Sequence, residues 1–127
     1  MKILLVDDER EFVSTLAERL AFRGIDAVSV NSGYEALAAM ESEDVDLIVM
    51  DLKMSGLNGL ETMRQIKERY GDVPFIMITG HCEESDMLAG KDMGAYSCMV
   101  KPVKIEALLE TIERMDREGK IEKHGDD

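Results

Sequence analysis

The chain has 127 residues, which suits one domain around one core, and 45% of them are hydrophobic. Fifteen basic against 27 acidic residues leave a formal charge of −12, which speaks against the basic surface that nonspecific nucleic-acid binding requires. No apolar run approaches the roughly 20 residues of a bilayer span, and Met1-Lys2-Ile3 enters a strand-like run closed at once by acidic residues, not a signal peptide. A cytoplasmic protein with no membrane contact is therefore expected. Cys82 and Cys98 form neither a C-x-x-C pair nor a metal pattern, so both are expected as reduced thiols, Cys98 buried. The ten methionines are dispersed and read as core filler.

Ile3-Leu4-Leu5-Val6 reads as a buried strand that ends in the carboxylates Asp7, Asp8 and Glu9. Phe12, Val13, Leu16, Ala17 and Leu20 follow at helical spacing, with Gly24 as the C-terminal cap. Asp26 to Val30 is a shorter strand. Ser32 with Glu35 makes a capping box for a helix carrying Ala36, Leu37 and Met40. Leu47-Ile48-Val49-Met50 then runs straight into Asp51, after which Met54, Ser55, Gly56, Asn58 and Gly59 break the pattern. Asn58 caps a helix bearing Leu60, Met63, Ile66 and Lys67, which Gly71 stops. Val73 to Thr79 is the next strand, with Pro74 at its start, where a missing donor costs least. A weakly capped helix spans Glu83 to Ala89, its end bracketed by Gly90 and Gly94. Tyr96 to Val100 is the last strand and meets Lys101-Pro102. Ile105, Leu108, Leu109, Ile112 and Met115 define an amphipathic helix, and residues 119–127 read as a polar, frayed tail behind a domain of residues 1–118.

Five strands alternating with five helices demand right-handed crossovers and a parallel sheet covered on both faces. Four polar features then fall at C-terminal strand ends: Asp7-Asp8, Asp51, Thr79 and Lys101. In a doubly wound sheet those ends converge on one crevice. Three carboxylates brought together repel unless a divalent cation sits among them, and Mg²⁺ takes hard oxygen ligands. A carboxylate beside Mg²⁺ can attack phosphorus, while a hydroxyl and an ammonium suit the charge on phosphoryl oxygens. Each residue has a plainer reading. Asp51 could be only a turn residue, the acidic pair only a helix cap, Thr79 a backbone partner and Lys101 a surface cation. All four at strand ends in one chain is what chance does not readily supply.

The pieces L-L-V-D-D-E at 4–9, D-L-K-M-S-G-L-N-G at 51–59, I-T-G at 78–80 and G-A…K-P at 94–102 resemble the receiver domain of two-component response regulators, over residues 2 to about 116. The resemblance implies a flavodoxin-like fold with strand order 2-1-3-4-5. It implies that Asp51 is the phosphoacceptor, that Asp8 holds Mg²⁺ directly and Asp7 through water, and that the Lys53 carbonyl is a further ligand. Thr79 would be the switch hydroxyl and Lys101 the phosphate-binding cation. The donor would be a phosphohistidine on a sensor histidine kinase or phosphotransfer protein. The chain would be no enzyme beyond its own phosphorylation and dephosphorylation. A cis Lys101–Pro102 bond is implied as well. Three positions depart from the family pattern: Ser55 stands where a proline is common, Cys98 where an aromatic switch residue is usual, and Val103 where an aromatic often follows the proline.

A phosphohydrolase using the same Asp–Mg²⁺ chemistry is the alternative. Haloacid dehalogenase-like phosphatases carry a second acid two residues after the nucleophile; here Lys53 occupies that place, and no cap-like insertion is present. A phosphorylation-independent adaptor is disfavoured by the intact set, and mononucleotide binding by the absence of a phosphate-binding glycine loop. Because Cys98 cannot fill the space of an aromatic ring, phosphorylation is expected to move residues 79–84 with little rotameric switching on the last strand. Tyr96 is expected on the same face as Cys98. The partner surface, for an output domain, a downstream protein or a second copy in a homodimer, is expected at residues 83–91, 96–100 and 104–113.

Overall fold

Short apolar strands cannot pair in parallel without long crossovers, and here an amphipathic helix supplies each one. A computed structural model describes residues 1–122. The elements are β1 (Lys2–Val6), α1 (Arg10–Ala21), β2 (Asp26–Val30), α2 (Gly33–Ser42), β3 (Leu47–Asp51), α3 (Gly59–Tyr70), β4 (Phe75–Thr79), α4 (Glu84–Asp92), β5 (Cys98–Val100) and α5 (Ile105–Arg117). All neighbouring strands pair in parallel, in the order β2-β1-β3-β4-β5.

Every residue of β3 and of β4 is buried, as expected of strands covered on both faces. Alternation divides them between two cores. Ile3, Leu5, Leu47, Val49, Ile76 and Ile78 meet α1 and α5 through Val13, Leu16, Leu20, Leu108, Ile112 and Met115. Leu4, Val6, Ile48, Met50, Phe75 and Met77 meet α2 and α3 through Ala36, Met40, Met63 and Ile66. Each fully buried aliphatic side chain contributes about 1.5–3 kcal/mol, so each helix is held by its apolar face. Methionine fills core positions 40, 50, 54, 63, 77 and 115 as expected, but Met87 is exposed.

Ser32 and Asn58 cap their helices as expected, but Glu35 Oε1 accepts from Asn31 N–H at 2.8 Å and not from Ser32 N–H, so the expected box stays half closed, while Glu83 and Asp86 form one at the start of α4. Ser32 Oγ accepts from Glu35 N–H at 3.0 Å, and Asn58 Oδ1 accepts from Glu61 N–H at 2.9 Å. Gly24 ends α1 at φ +77°, with Gly24 N–H bonded to the Ala21 carbonyl and Ile25 N–H to that of Leu20, a Schellman closure.

Four other expectations need revision. First, α4 runs through Gly90 to Asp92 and does not stop at Ala89. The glycine packs closely: a Cβ on Gly90 would lie 2.1 Å from Met77 Cε and 2.4 Å from its Sδ, so a larger residue would have to displace the end of the Met77 side chain where α4 meets β4. Second, β4 and β5 are shorter than the apolar runs suggested, starting at Phe75 and Cys98. Tyr96 N–H still bonds to the Phe75 carbonyl, but residues 95–97 are not in regular strand conformation. Alternation therefore slips, which overturns the third expectation. Tyr96 packs with the α1/α5 core, whereas Cys98 packs with the opposite one. The Tyr96 hydroxyl donates to Glu118 Oε1 at 2.9 Å and accepts from Arg114 Nε at 3.0 Å. Fourth, Cys98 is half-buried, not buried. Beyond Glu118, Lys120 N–H bonds to the Met115 carbonyl, and Ile121, the one apolar residue of the expected tail, is buried in the α1/α5 core. Residues 123–127, the rest of that tail, lie outside the described residues.

Candidate functional site

Strand register sets the four polar features side by side. Val6 pairs with Met50, Asp51 with Ile78, and Thr79 with Val100, so Asp7, Asp51, Thr79 and Lys101 emerge along one edge. Carboxylate oxygens of Asp7, Asp8 and Asp51 lie within 4.8 Å of one another. Asp7 and Asp51 are buried and Asp8 is exposed, so the cluster has a closed floor and an open side.

Lys101 answers this charge. Its Nζ lies 2.8 Å from Asp7 Oδ2, 2.7 Å from Glu9 Oε1 and 3.5 Å from Asp51 Oδ2, and 5.1 Å from the centre of the Phe12 ring. Burial alone would lower the Lys101 pKa, but Asp7, Glu9 and Asp51 outweigh it and hold the ammonium above its ordinary value. The Lys101–Pro102 bond is cis, as the resemblance implied.

Asp51 is balanced differently. Burial, then the neighbouring Asp7 charge, push its carboxyl up to about 6, while Lys101 and the Lys53 N–H pull the other way. That N–H donates to Asp51 Oδ1 at 3.4 Å. Asp7 Oδ1 accepts from Glu9 N–H at 2.8 Å, which commits Asp7 to Glu9 and Lys101. Asp8 Oδ2 instead accepts from Ser55 N–H at 3.1 Å and Ser55 Oγ at 3.4 Å. Serine in place of proline thus supplies two donors, both of which proline lacks. Three hard oxygen donors, unfavourably close without a cation and open on one side, fit a small divalent metal.

Thr79 Oγ1 donates to the His81 carbonyl at 3.0 Å and accepts from His81 N–H at 3.3 Å, a closed turn at the end of β4. The Lys53 side chain reaches out of the cluster, its Nζ 3.6 Å from Asp86 and 3.9 Å from Glu83. Glu9 and Ser55 are contributors that sequence reasoning gave no role. Glu9 stood among the strand-end acids, and that adjacency was the available signal. Ser55 was noted only as a departure.

Gly59 fixes the acceptor loop. A Cβ there would lie 2.2 Å from the Asp51 carbonyl oxygen and 2.9 Å from Leu52 Cα, both backbone atoms that cannot rotate away. Gly59→Ala is expected to cost about 2–3 kcal/mol in thermal or urea unfolding. Gly80→Ala, with nothing within 4 Å of the added atom, should stay within about 0.5 kcal/mol of wild type. Equal losses in the two variants would refute the close-approach argument.

A doubly wound α/β domain with an acid cluster and a facing lysine at its strand ends is the class that fold and site define. The family model for the response regulator receiver domain matches residues 3–113, and the chain belongs to that family. It is similar to response regulator MprA of Mycobacterium ulcerans, 34% identical over 122 residues, covering 96% of this chain and 53% of that protein. The alkaline phosphatase synthesis transcriptional regulatory protein PhoP of Bacillus subtilis is 39% identical over 101 residues, covering 80% of this chain and 42% of that protein. The chain therefore spans about half the length of the curated relatives it matches. Among solved structures it resembles Vibrio cholerae chemotaxis protein CheY4, with a TM-score of 0.84 at 30% identity over 89% of this chain and 96% of that one. A CheY-like receiver domain protein of Methanospirillum hungatei gives a TM-score of 0.86 at 28% identity, covering 94% and 96%. The chain is a response regulator receiver, a signalling domain of two-component systems. Among the described residues no helix is long and apolar enough to cross a membrane.

Proposed function

We propose that Asp51 accepts a phosphoryl group from a phosphohistidine on a sensor histidine kinase or phosphotransfer protein. The observation behind this reading is a buried carboxylate at a strand end, crowded by Asp7 and Asp8 and faced by Lys101 at 3.5 Å. An Asp51 carboxylate oxygen attacks phosphorus, the P–N bond breaks, and the histidine nitrogen leaves with the electron pair. Lys101 is held charged and in place to meet a phosphoryl oxygen. Thr79 turns its hydroxyl from the His81 carbonyl to another. Bound Mg²⁺, held by Asp8, Asp51 and the Lys53 carbonyl, with Asp7 acting through water, would neutralise charge on the transferring group. The same residues serve hydrolysis of the acyl phosphate, the chain's own dephosphorylation and no external turnover. Lys53, whose side chain is paired with Glu83 and Asp86, offers no general acid for the alternative phosphohydrolase. The setting is the cytoplasm, where such kinases present phosphohistidine.

Incubation with Mg²⁺ and acetyl phosphate should add one phosphoryl mass to wild type and none to Asp51→Asn. An adduct that survives Asp51→Asn would overturn the assignment. Asp8→Ala should weaken Mg²⁺ binding more than Asp7→Ala, because Asp7 is already committed to Lys101 and Glu9 N–H whereas Asp8 faces solvent. Equal Mg²⁺ titrations for wild type and Asp8→Ala would remove Asp8 from the ligand set.

Output runs through the loop after β4. Drawing the Thr79 hydroxyl towards phosphate opens the turn at His81 and shifts residues 79–84 and the start of α4, a population shift between two loop states. The receiving surface is α4, β5 and α5, where Met87, Leu88 and Val100 are exposed apolar residues. An output domain, a separate target or a second copy of the chain would dock there. With beryllofluoride as phosphoryl mimic, amide shifts should reach residues 79–91; shifts confined to 51–59 would sink this account.

A further inference from the structure

Two cysteines stand at the place where this chain departs from its family's switch. Cys82 lies in the loop between β4 and α4, and Cys98 opens β5. Their Sγ atoms are 2.9 Å apart, a thiol–thiol contact, and both residues are free and half-buried. A disulfide needs the sulfurs at about 2.05 Å, so roughly 1 Å of approach separates the contact from a bond. The strand side of the pair is fixed: Cys98 is paired in register with Met77 of β4. The loop side is the part that must move. Cys82 follows His81, whose carbonyl takes the Thr79 hydroxyl, and precedes Glu83, whose N–H bonds to Asp86 Oδ2 at 3.4 Å at the start of α4. Cys98 also lines a groove of about 430 Å³ between α4 and β5, beside Met77, Met87 and Leu88, while Cys82, in the loop outside that groove, is itself partly exposed to solvent.

We propose that Cys82 and Cys98 form a reversible regulatory disulfide, made by exchange with a small-molecule disulfide of the glutathione type, and that it locks residues 79–84 onto β5. That the lock blocks output rests on the phosphoacceptor reading; the formation of the bond does not. Burial, reinforced by the contact with Cys82, pushes the Cys98 thiol up to about 12, so Cys98 is the poorer first nucleophile. The Cys82 thiolate attacks one sulfur of the small disulfide, and the departing thiolate takes a proton from solvent. Cys98 then gives its proton to solvent and attacks the Cys82 sulfur of the mixed disulfide, releasing the second small thiol. Two protein thiols lose two electrons in all, and one small disulfide becomes two thiols. With the bond made, the loop cannot follow Thr79 towards Asp51, although neither cysteine belongs to the acid cluster or touches Lys101.

The test equilibrates the intact protein in a series of reduced and oxidised glutathione mixtures, then traps free thiols and weighs the product. Wild type should lose about 2 Da and yield one peptide pair linked through Cys82 and Cys98. Cys98→Ser should yield only a mixed disulfide with glutathione, at Cys82, and Cys82→Ser, which keeps the poorer nucleophile, should form its mixed disulfide more slowly and no linked pair. Wild type carrying glutathione on both cysteines, or no linked pair at any ratio, would overturn the proposal. Amide spectra with Mg²⁺ and beryllofluoride supply the second reading. Reduced wild type should shift at 51–59 and at 79–91, oxidised wild type at 51–59 alone. Equal 79–91 shifts in both states would overturn the lock. No shifts in the reduced protein would instead remove the phosphoacceptor reading and leave the mass result to judge the disulfide.

Discussion

Replacing Lys101 with methionine should destabilise the metal-free protein by about 3 kcal/mol at pH 7.5, a fall of about 10 °C in Tm. Methionine keeps the length and the packing on Phe12 but removes the charge, which leaves Asp7 and Asp51 buried together without a cation. The sign with pH follows from the direction of the shift. Carboxylates hold the Lys101 pKa above its ordinary value, so its contribution is complete at neutral pH and fades only as pH rises through that raised value. In the variant, by contrast, the stranded Asp51 carboxylate can be relieved by protonation. The gap between wild type and Lys101→Met should therefore narrow as pH falls below about 6, the region to which the Asp51 carboxyl is already pushed. Urea unfolding between pH 5 and 8 measures this; a loss of constant size across that range would show that packing, not charge, is what Lys101 supplies.

Asp51→Asn should act in the opposite direction. Folding moves the Asp51 carboxyl from the ordinary carboxylate range up to about 6, first through burial and then through Asp7. A carboxyl raised in this way favours the folded state while protonated, and that contribution is lost as pH rises through 6. At pH 7.5 the ionised group is a net cost of roughly 1–3 kcal/mol in the absence of metal. Asparagine has the same shape without the charge, so the variant should unfold several degrees higher than wild type at pH 7.5, and the advantage should shrink towards pH 5. Addition of Mg²⁺ should raise the wild-type Tm and narrow the difference from the other side. A variant less stable than wild type at neutral pH would contradict the electrostatic account of the pocket. Part of the stability cost and the chemistry share an origin, since the Asp7 charge that adds to burial in raising the Asp51 carboxyl also makes the cluster receptive to a cation.

Much of this was legible in the chain because the signals are local. The apolar runs at 3–6 and 47–50, each closing on a carboxylate, located two central strands and their functional ends. Ser32 and Asn58 announced the helices they cap. What stayed hidden depends on contacts between distant segments. Gly90 reads as a helix end, and only the nearness of Met77 shows that it is a packing residue. Tyr96 and Cys98 share a face if the strand is regular, and the irregular stretch at 95–97 is a tertiary outcome that puts them on opposite sides. The Cys82–Cys98 contact spans two elements with no motif to flag it. Glu9 was visible as an acid, but its pairing with Lys101 joins residues 92 positions apart.

The backbone bonds at the sheet's edge also say where movement starts. Leu52 N–H is bonded to the Ile78 carbonyl and Lys101 N–H to that of Thr79, each at 2.8 Å. The acceptor strand, the hydroxyl and the lysine are thus stapled into one shelf. The chain leaves that shelf at Gly80, where no neighbour crowds the backbone. In hydrogen exchange the Leu52 and Lys101 amides should be among the slow ones, with rates unchanged by phosphorylation, while the His81 amide, bonded to the Thr79 hydroxyl at 3.3 Å, should exchange quickly and report the event. The receiver then works as a fixed fulcrum with a short lever, and the sheet itself has no need to bend.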